Sequence, residues 1–88
     1  MMASSDFIAW GKDTVRKYVE EHTNPATPLD LPDEDIYLVW YCKTLQNHKA
    51  LFTTALFCKM YYEFTYNGDS REAYLDAYVK CTNQVVKP

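Results

Sequence analysis

The chain has 88 residues, 48% hydrophobic and 24% charged, with a formal net charge of −3. These values describe one small globular domain with a thin core, and the negative balance argues against general DNA or RNA binding, which needs a basic face. The start MMASSDF lacks the basic and apolar regions of a signal peptide, and no run approaches the length of a membrane span, so no membrane partner is expected.

A core this thin often gains support from an oligomer interface, a metal or disulfides. The three cysteines, Cys42, Cys58 and Cys81, are odd in number and form no C-x-x-C pair, and His22 and His48 are the only histidines. A zinc site is therefore not expected, nor any cofactor. Three reduced thiols acting as small hydrophobes are expected instead, and the chain is expected to be a homo-oligomer.

Residues 5–22 read as an amphipathic helix. Ser4 or Ser5 can cap it, with Asp6 in the first turn. Phe7, Ile8, Gly11, Val15, Tyr18 and Val19 share one face, flanked by Trp10. The spacings Asp13–Lys17, Arg16–Glu20 and Lys17–Glu21 place opposite charges one turn apart on the solvated face. Residues 23–35, TNPATPLDLPDED, hold three of the four prolines and form a connection that Leu29 and Leu31 can pin to the core. The run Asp33-Glu34-Asp35 lacks the spacing of a calcium loop and reads as a solvated turn.

Residues 36–81 read as a β-meander. Ile36 to Lys43 is a strand apolar on both faces, expected to be central in the sheet or covered on both sides. Lys49 to Leu56 is a second strand and Met60 to Tyr66 a third, followed by the turn dipeptide Asn67-Gly68. Residues 72–81, EAYLDAYVKC, alternate with period two; a helix reading also fits, but the hairpin signal before them favours a strand. Residues 82–88 are a tail. The expected architecture is class α+β: one N-terminal helix packed on an antiparallel meander of about four strands.

Three constellations carry possible chemistry. Cys42 and His48 could form a nucleophile pair, but a hairpin turning near Gln46-Asn47 separates them along the strands, and Cys42 ends an apolar run. No oxyanion donor or orienting third group accompanies them, so no enzyme is expected. Lys43, Gln46, Asn47, His48 and Lys49 cluster at the hairpin tip beside Trp40 and Tyr41. Cations, amide donors and aromatic rings together suit a nucleotide-like ligand, although tip lysines also serve simply to discourage edge aggregation. Tyr61 and Glu63 on the third strand can neighbour Tyr74, Asp76 and Tyr78 on the fourth, forming a polar aromatic surface for recognition or self-association. The same rings equally suit cross-strand pairing that only stabilises the sheet.

The motifs D-x-Y-x-V-W from Asp35, K-T-L-Q-N-x-K-A-L from Lys43, M-Y-Y-E-x-T-Y-N-G-D from Met60 and Y-x-D-x-Y from Tyr74 cover about residues 35–80. This stretch resembles a family of small uncharacterised proteins encoded by phages and prophages of Gram-positive bacteria, the lactobacillus, listeria and streptococcus group. The resemblance leads one to expect a polar Asp-Gly-type turn between the second and third strands, where this chain carries Leu56-Phe57-Cys58-Lys59. It implies a phage protein in the host bacterial cytoplasm and brings no enzyme activity. The function expected is a non-catalytic binding module that counters host defence by sequestering a nucleotide-type small molecule. The alternatives are an inhibitor that binds a host defence enzyme or nuclease, and a phage structural or assembly protein.

Overall fold

The computed structural model describes residues 2–22, 31–56 and 60–88. Helix α1 (Ser4–Glu21) is followed by a single 3-10 turn at Asp33–Asp35 and by strands β1 (Ile36–Thr44), β2 (Asn47–Thr54), β3 (Met60–Asn67) and β4 (Glu72–Val79). The strands form one antiparallel sheet in the order β1-β2-β3-β4, with α1 packed on one face. The α+β meander is therefore as expected, and residues 72–79 are strand, not helix.

The helix forms because Phe7, Gly11, Val15 and Val19 recur every four residues and bury one stripe. The even-numbered residues of β2 and β3 lie beneath it, with Ala50, Phe52, Tyr62 and Phe64 all buried. Burying Phe7, Phe52 and Phe64 stabilises the fold by about 1.5–3 kcal/mol each. Gly11 sets the spacing between the layers: a Cβ there would lie 2.7 Å from two ring carbons of Phe52. The N-cap is Ala3, without a side-chain cap, so Ser4 and Ser5 fall inside the first turn rather than capping it.

Arg16 ties α1 to the segment that precedes β1. It reaches Asp13 at 2.5 Å, pairs with Asp33, and donates from Nε to the Leu31 carbonyl at 2.8 Å. This fastens buried Leu31 and the Asp33–Asp35 turn beside α1. Leu29, the rest of residues 23–30, and residues 57–59, where a turn with Cys58 is expected, lie outside the described residues.

Two expectations about the sheet are corrected. Strand β1 is an edge strand, not a central one, and its apolar residues are largely exposed. The doubly apolar pattern arises from a bulge. Leu38 pairs with Phe52 and Trp40 with Leu51, leaving Val39 as the extra residue. Without that insertion Leu38 and Trp40 would share a face; with it, Trp40 turns to the side away from α1.

The turns also differ from expectation. The β1–β2 turn is Leu45-Gln46, one residue earlier than Gln46-Asn47, so β2 begins at Asn47 rather than Lys49. The β3–β4 connection spans residues 68–71, and its Gly68 does not adopt a positive φ. The left-handed positions are instead Leu45 (φ 57°) and Arg71 (φ 58°), one in each turn. Residues 80–88 carry no regular structure and are exposed.

Candidate functional site

The sheet has one face under α1 and one open face, and strand alternation divides the candidate residues between them. Lys43 pairs with His48 and Tyr41 with Ala50, on the α1 side. Trp40, Asn47 and Lys49 belong to the open side, as does Cys42, which pairs with Lys49. The five-residue tip is thus not one basic surface, and Lys43 and Lys49 belong to opposite faces.

His48 is not exposed at the tip. It is 2% exposed and lies under the start of α1, stacked on Phe7 with ring centroids 4.9 Å apart. Its Nδ1 lies 2.6 Å from the Tyr41 hydroxyl, while Nε2 is buried with no hydrogen-bond partner of normal geometry. Burial lowers the imidazole pKa below 6.5, and Lys43 lowers it further; the Met2 backbone acts in the opposite sense without cancelling them. Sequence reasoning placed His48 with its polar neighbours. The alternation His48-Ala50-Phe52 was the signal that it joins the core.

Cys42 and His48 stand on opposite faces, which removes the nucleophile pair. The Cys42 thiol is exposed, however, and is not a core residue. The bulge shifts it outward together with Trp40.

On the open face the residues of the tyrosine-rich surface are cross-strand neighbours. Tyr61 pairs with Tyr78, Glu63 with Asp76 and Thr65 with Tyr74. Tyr74 is 52% exposed, Tyr78 50% and Trp40 41%. Lys49 forms a 3.3 Å ion pair with Glu63, and Asp76 and Glu72, which accepts from the Tyr74 hydroxyl at 2.5 Å, add two further carboxylates to the face. A depression of about 340 Å³ on this side is lined by Trp40, Cys42, Thr44, Asn47, His48, Lys49 and Thr65. Four of the seven ligand-binding candidates, Trp40, Asn47, His48 and Lys49, line it; Tyr41, Lys43 and Gln46 do not.

Gln46 and Asn47 act between the two hairpin tips. Asn47 Oδ1 accepts the Gly68 amide at 2.9 Å, and Gln46 Nε2 donates to the Asp69 carboxylate. Asn67 Oδ1 accepts the amides of Asp69 at 3.0 Å and Ser70 at 3.3 Å, closing the second turn on itself. The polar runs Lys43–Lys49 and Asn67–Asp69 are therefore partly explained as a lock between the turns.

Among the described residues no group of three or more His, Cys, Asp or Glu side chains could hold a metal ion. Nor is any described helix long and apolar enough to cross a membrane. No curated protein and no solved structure matches the chain. Residues 8–88, which include most of the helix, all four strands and the interlocked turns, match the model of a family of unknown function designated DUF6275, and the chain belongs to that family.

Proposed function

We propose that this is a non-catalytic binding module whose open sheet face recognises a basic protein surface. The observation that carries the reading is the position of Trp40, which the bulge at Val39 directs onto the face where Tyr74 and Tyr78 stand half exposed beside Glu63 and Asp76. Aromatic rings are the commonest anchors of protein interfaces, and a partner's arginine or lysine gains from both the rings and the carboxylates. Two copies placed face to face would bring together six carboxylates (Glu63, Glu72 and Asp76 from each) and two copies of Lys49, so a basic partner is the better complement.

The resemblance to phage proteins supplies the setting: a phage protein in the host bacterial cytoplasm that covers a basic functional surface of a host defence enzyme or nuclease. Affinity capture from host lysate, followed by reconstitution with the purified captured protein, tests this. A stoichiometric complex that Trp40→Ala and Asp76→Lys abolish without unfolding is expected. If no partner depends on those residues, the reading fails; if the face mediates self-association instead, it is a homo-oligomer interface.

Sequestration of a nucleotide-like molecule on this face retains one observation, the depression shared by Trp40, Asn47 and Lys49. Lys49 is already engaged by Glu63, so a phosphate there would compete with a carboxylate. Calorimetry with cyclic and ADP-ribose-type nucleotides distinguishes the two readings, and the protein-partner reading expects no binding that Lys49→Ala or Trp40→Ala removes.

A further inference from the structure

Strand β1 is the longest in the sheet, nine residues against eight in each of the others, and it is one of the two edge strands. Among the described residues no backbone group bonds to its outer side. The other edge strand, β4, carries Glu72 and Asp76, and charge of this kind discourages further pairing. β1 has only Lys43 and the bulge at Val39 for that purpose. Neither covers the run Tyr37-Leu38-Val39-Trp40, four successive apolar side chains that are each 39–47% exposed. An unbroken exposed run of that kind marks a surface in use.

A second part of the chain is still more exposed. Residues 80–88, KCTNQVVKP, have no regular structure, and Val85 and Val86 stand 86% and 84% exposed. Thr82, Val85 and Val86 favour strand, and the segment holds Lys80 and Lys87 and no acid in a chain of net charge −3. Ile36 pairs with Thr54 and Met60 with Val79, so β1 begins and β4 ends at the same end of the sheet. The outer side of the chain's own β1 lies four strand spacings from β4, about 19 Å. Crossing that gap would consume about six residues, Lys80 to Val85, before any pairing could begin.

We propose that this segment of one copy adds as a strand to the outer side of β1 in a second copy, reciprocally, to give a two-fold dimer. Two copies that meet at the shared end, related by an axis normal to the sheet, place each segment beside the other copy's β1 and parallel to it. Val85 and Val86 then cover the exposed apolar run of β1. Lys80 comes level with the turn Asp33–Asp35, where Glu34 and Asp35 make no ion pair among the described residues. The same axis leaves both α1 helices on one side and both aromatic faces on the other, so the dimer presents two copies of that face to a partner at once. The dimer forms through strand edges and stands or falls independently of what the aromatic face binds.

The test is sedimentation equilibrium of the full chain under reducing conditions, so that no disulfide contributes, from about 1 to about 500 µM. A monomer–dimer equilibrium is expected. The double variant Val85→Lys/Val86→Lys alters only exposed positions, so it keeps its circular dichroism, and it is expected to weaken the dimer about tenfold or more. In a mixture of isotope-labelled and unlabelled chains, filtered NOEs from the Val85 and Val86 methyls to Leu38 or Val39 are expected between copies. A chain that stays monomeric at about 500 µM, a dimer that the double variant leaves intact, as one built on the aromatic face would be, or NOEs found only within one copy would overturn the proposal.

Discussion

His48 Nδ1 and the Tyr41 hydroxyl lie 2.6 Å apart beneath the start of α1, and the other ring nitrogen, Nε2, is buried without a hydrogen-bond partner. In the neutral ring the Tyr41 contact satisfies one nitrogen and leaves Nε2 unpaired but uncharged. A protonated ring needs acceptors at both nitrogens and adds a charge near Lys43. The folded-state pKa is therefore depressed below the 6.5 of the unfolded chain. Between those two values the unfolded chain binds more protons, so this contribution to stability is fully present above about pH 6.5 and is lost as pH falls toward the folded-state pKa. Urea unfolding between pH 7.5 and 5 is expected to show that decline, and His48→Phe, which keeps the stack on Phe7, is expected to flatten it.

Gly11→Ala weighs two effects against each other. Alanine gains about 1 kcal/mol in helix propensity. Its methyl would meet the buried Phe52 ring at 2.7 Å and Phe64 at 3.3 Å, and overpacking of this kind costs about 1–3 kcal/mol. A net loss of about 1 kcal/mol is expected, and a larger one for Gly11→Val, read as a lower denaturant midpoint with unchanged m.

The two turns predict opposite outcomes for glycine. Gly68 is required for space: an added methyl would overlap the Gln46 carbonyl oxygen, so Gly68→Ala is expected to cost about 1–3 kcal/mol. Leu45 is 78% exposed with φ 57°, at the first position of a two-residue hairpin turn where glycine is favoured. Leu45→Gly relieves about 1–2 kcal/mol of strain against about 0.4–1 kcal/mol of unfolded-chain entropy. Thermal unfolding of the pair is expected to show Gly68→Ala destabilised and Leu45→Gly unchanged or stabilised by up to about 1 kcal/mol.

Asp76 opposes Glu63 directly across β3 and β4, a like-charge pair on an open face. Such pairs cost roughly 0.2–1 kcal/mol, so Asp76→Asn is expected to raise stability by a few tenths of a kcal/mol. The same variant is expected to weaken the proposed complex with a basic partner. Stability and complex formation moving together in either direction would separate Asp76 from recognition.

The helix, the four strands and the pairing of Tyr61, Glu63 and Thr65 with Tyr78, Asp76 and Tyr74 were legible because alternation and the 3.6-residue period both repeat over several turns. What escaped the sequence depended on single insertions and long-range partners. Val39 shifts the phase of β1, and an uninterrupted alternation carries no sign of that shift. His48 looked like part of a polar tip because its neighbours are polar, while its burial is decided by Phe7, over forty residues away. Gly68 looked like a residue chosen for a left-handed turn, yet its need arises from Gln46 on the other hairpin.

Because the bulge carries Cys42 outward with Trp40, the open face includes a thiol of its own beside Lys49 and exposed to solvent. Cys81, in the exposed tail, offers a second thiol far less tied to the sheet. With Cys58 replaced by serine, the relative alkylation rates of these two positions become an occupancy gauge. A partner seated on the aromatic face slows Cys42 and leaves Cys81 unaffected.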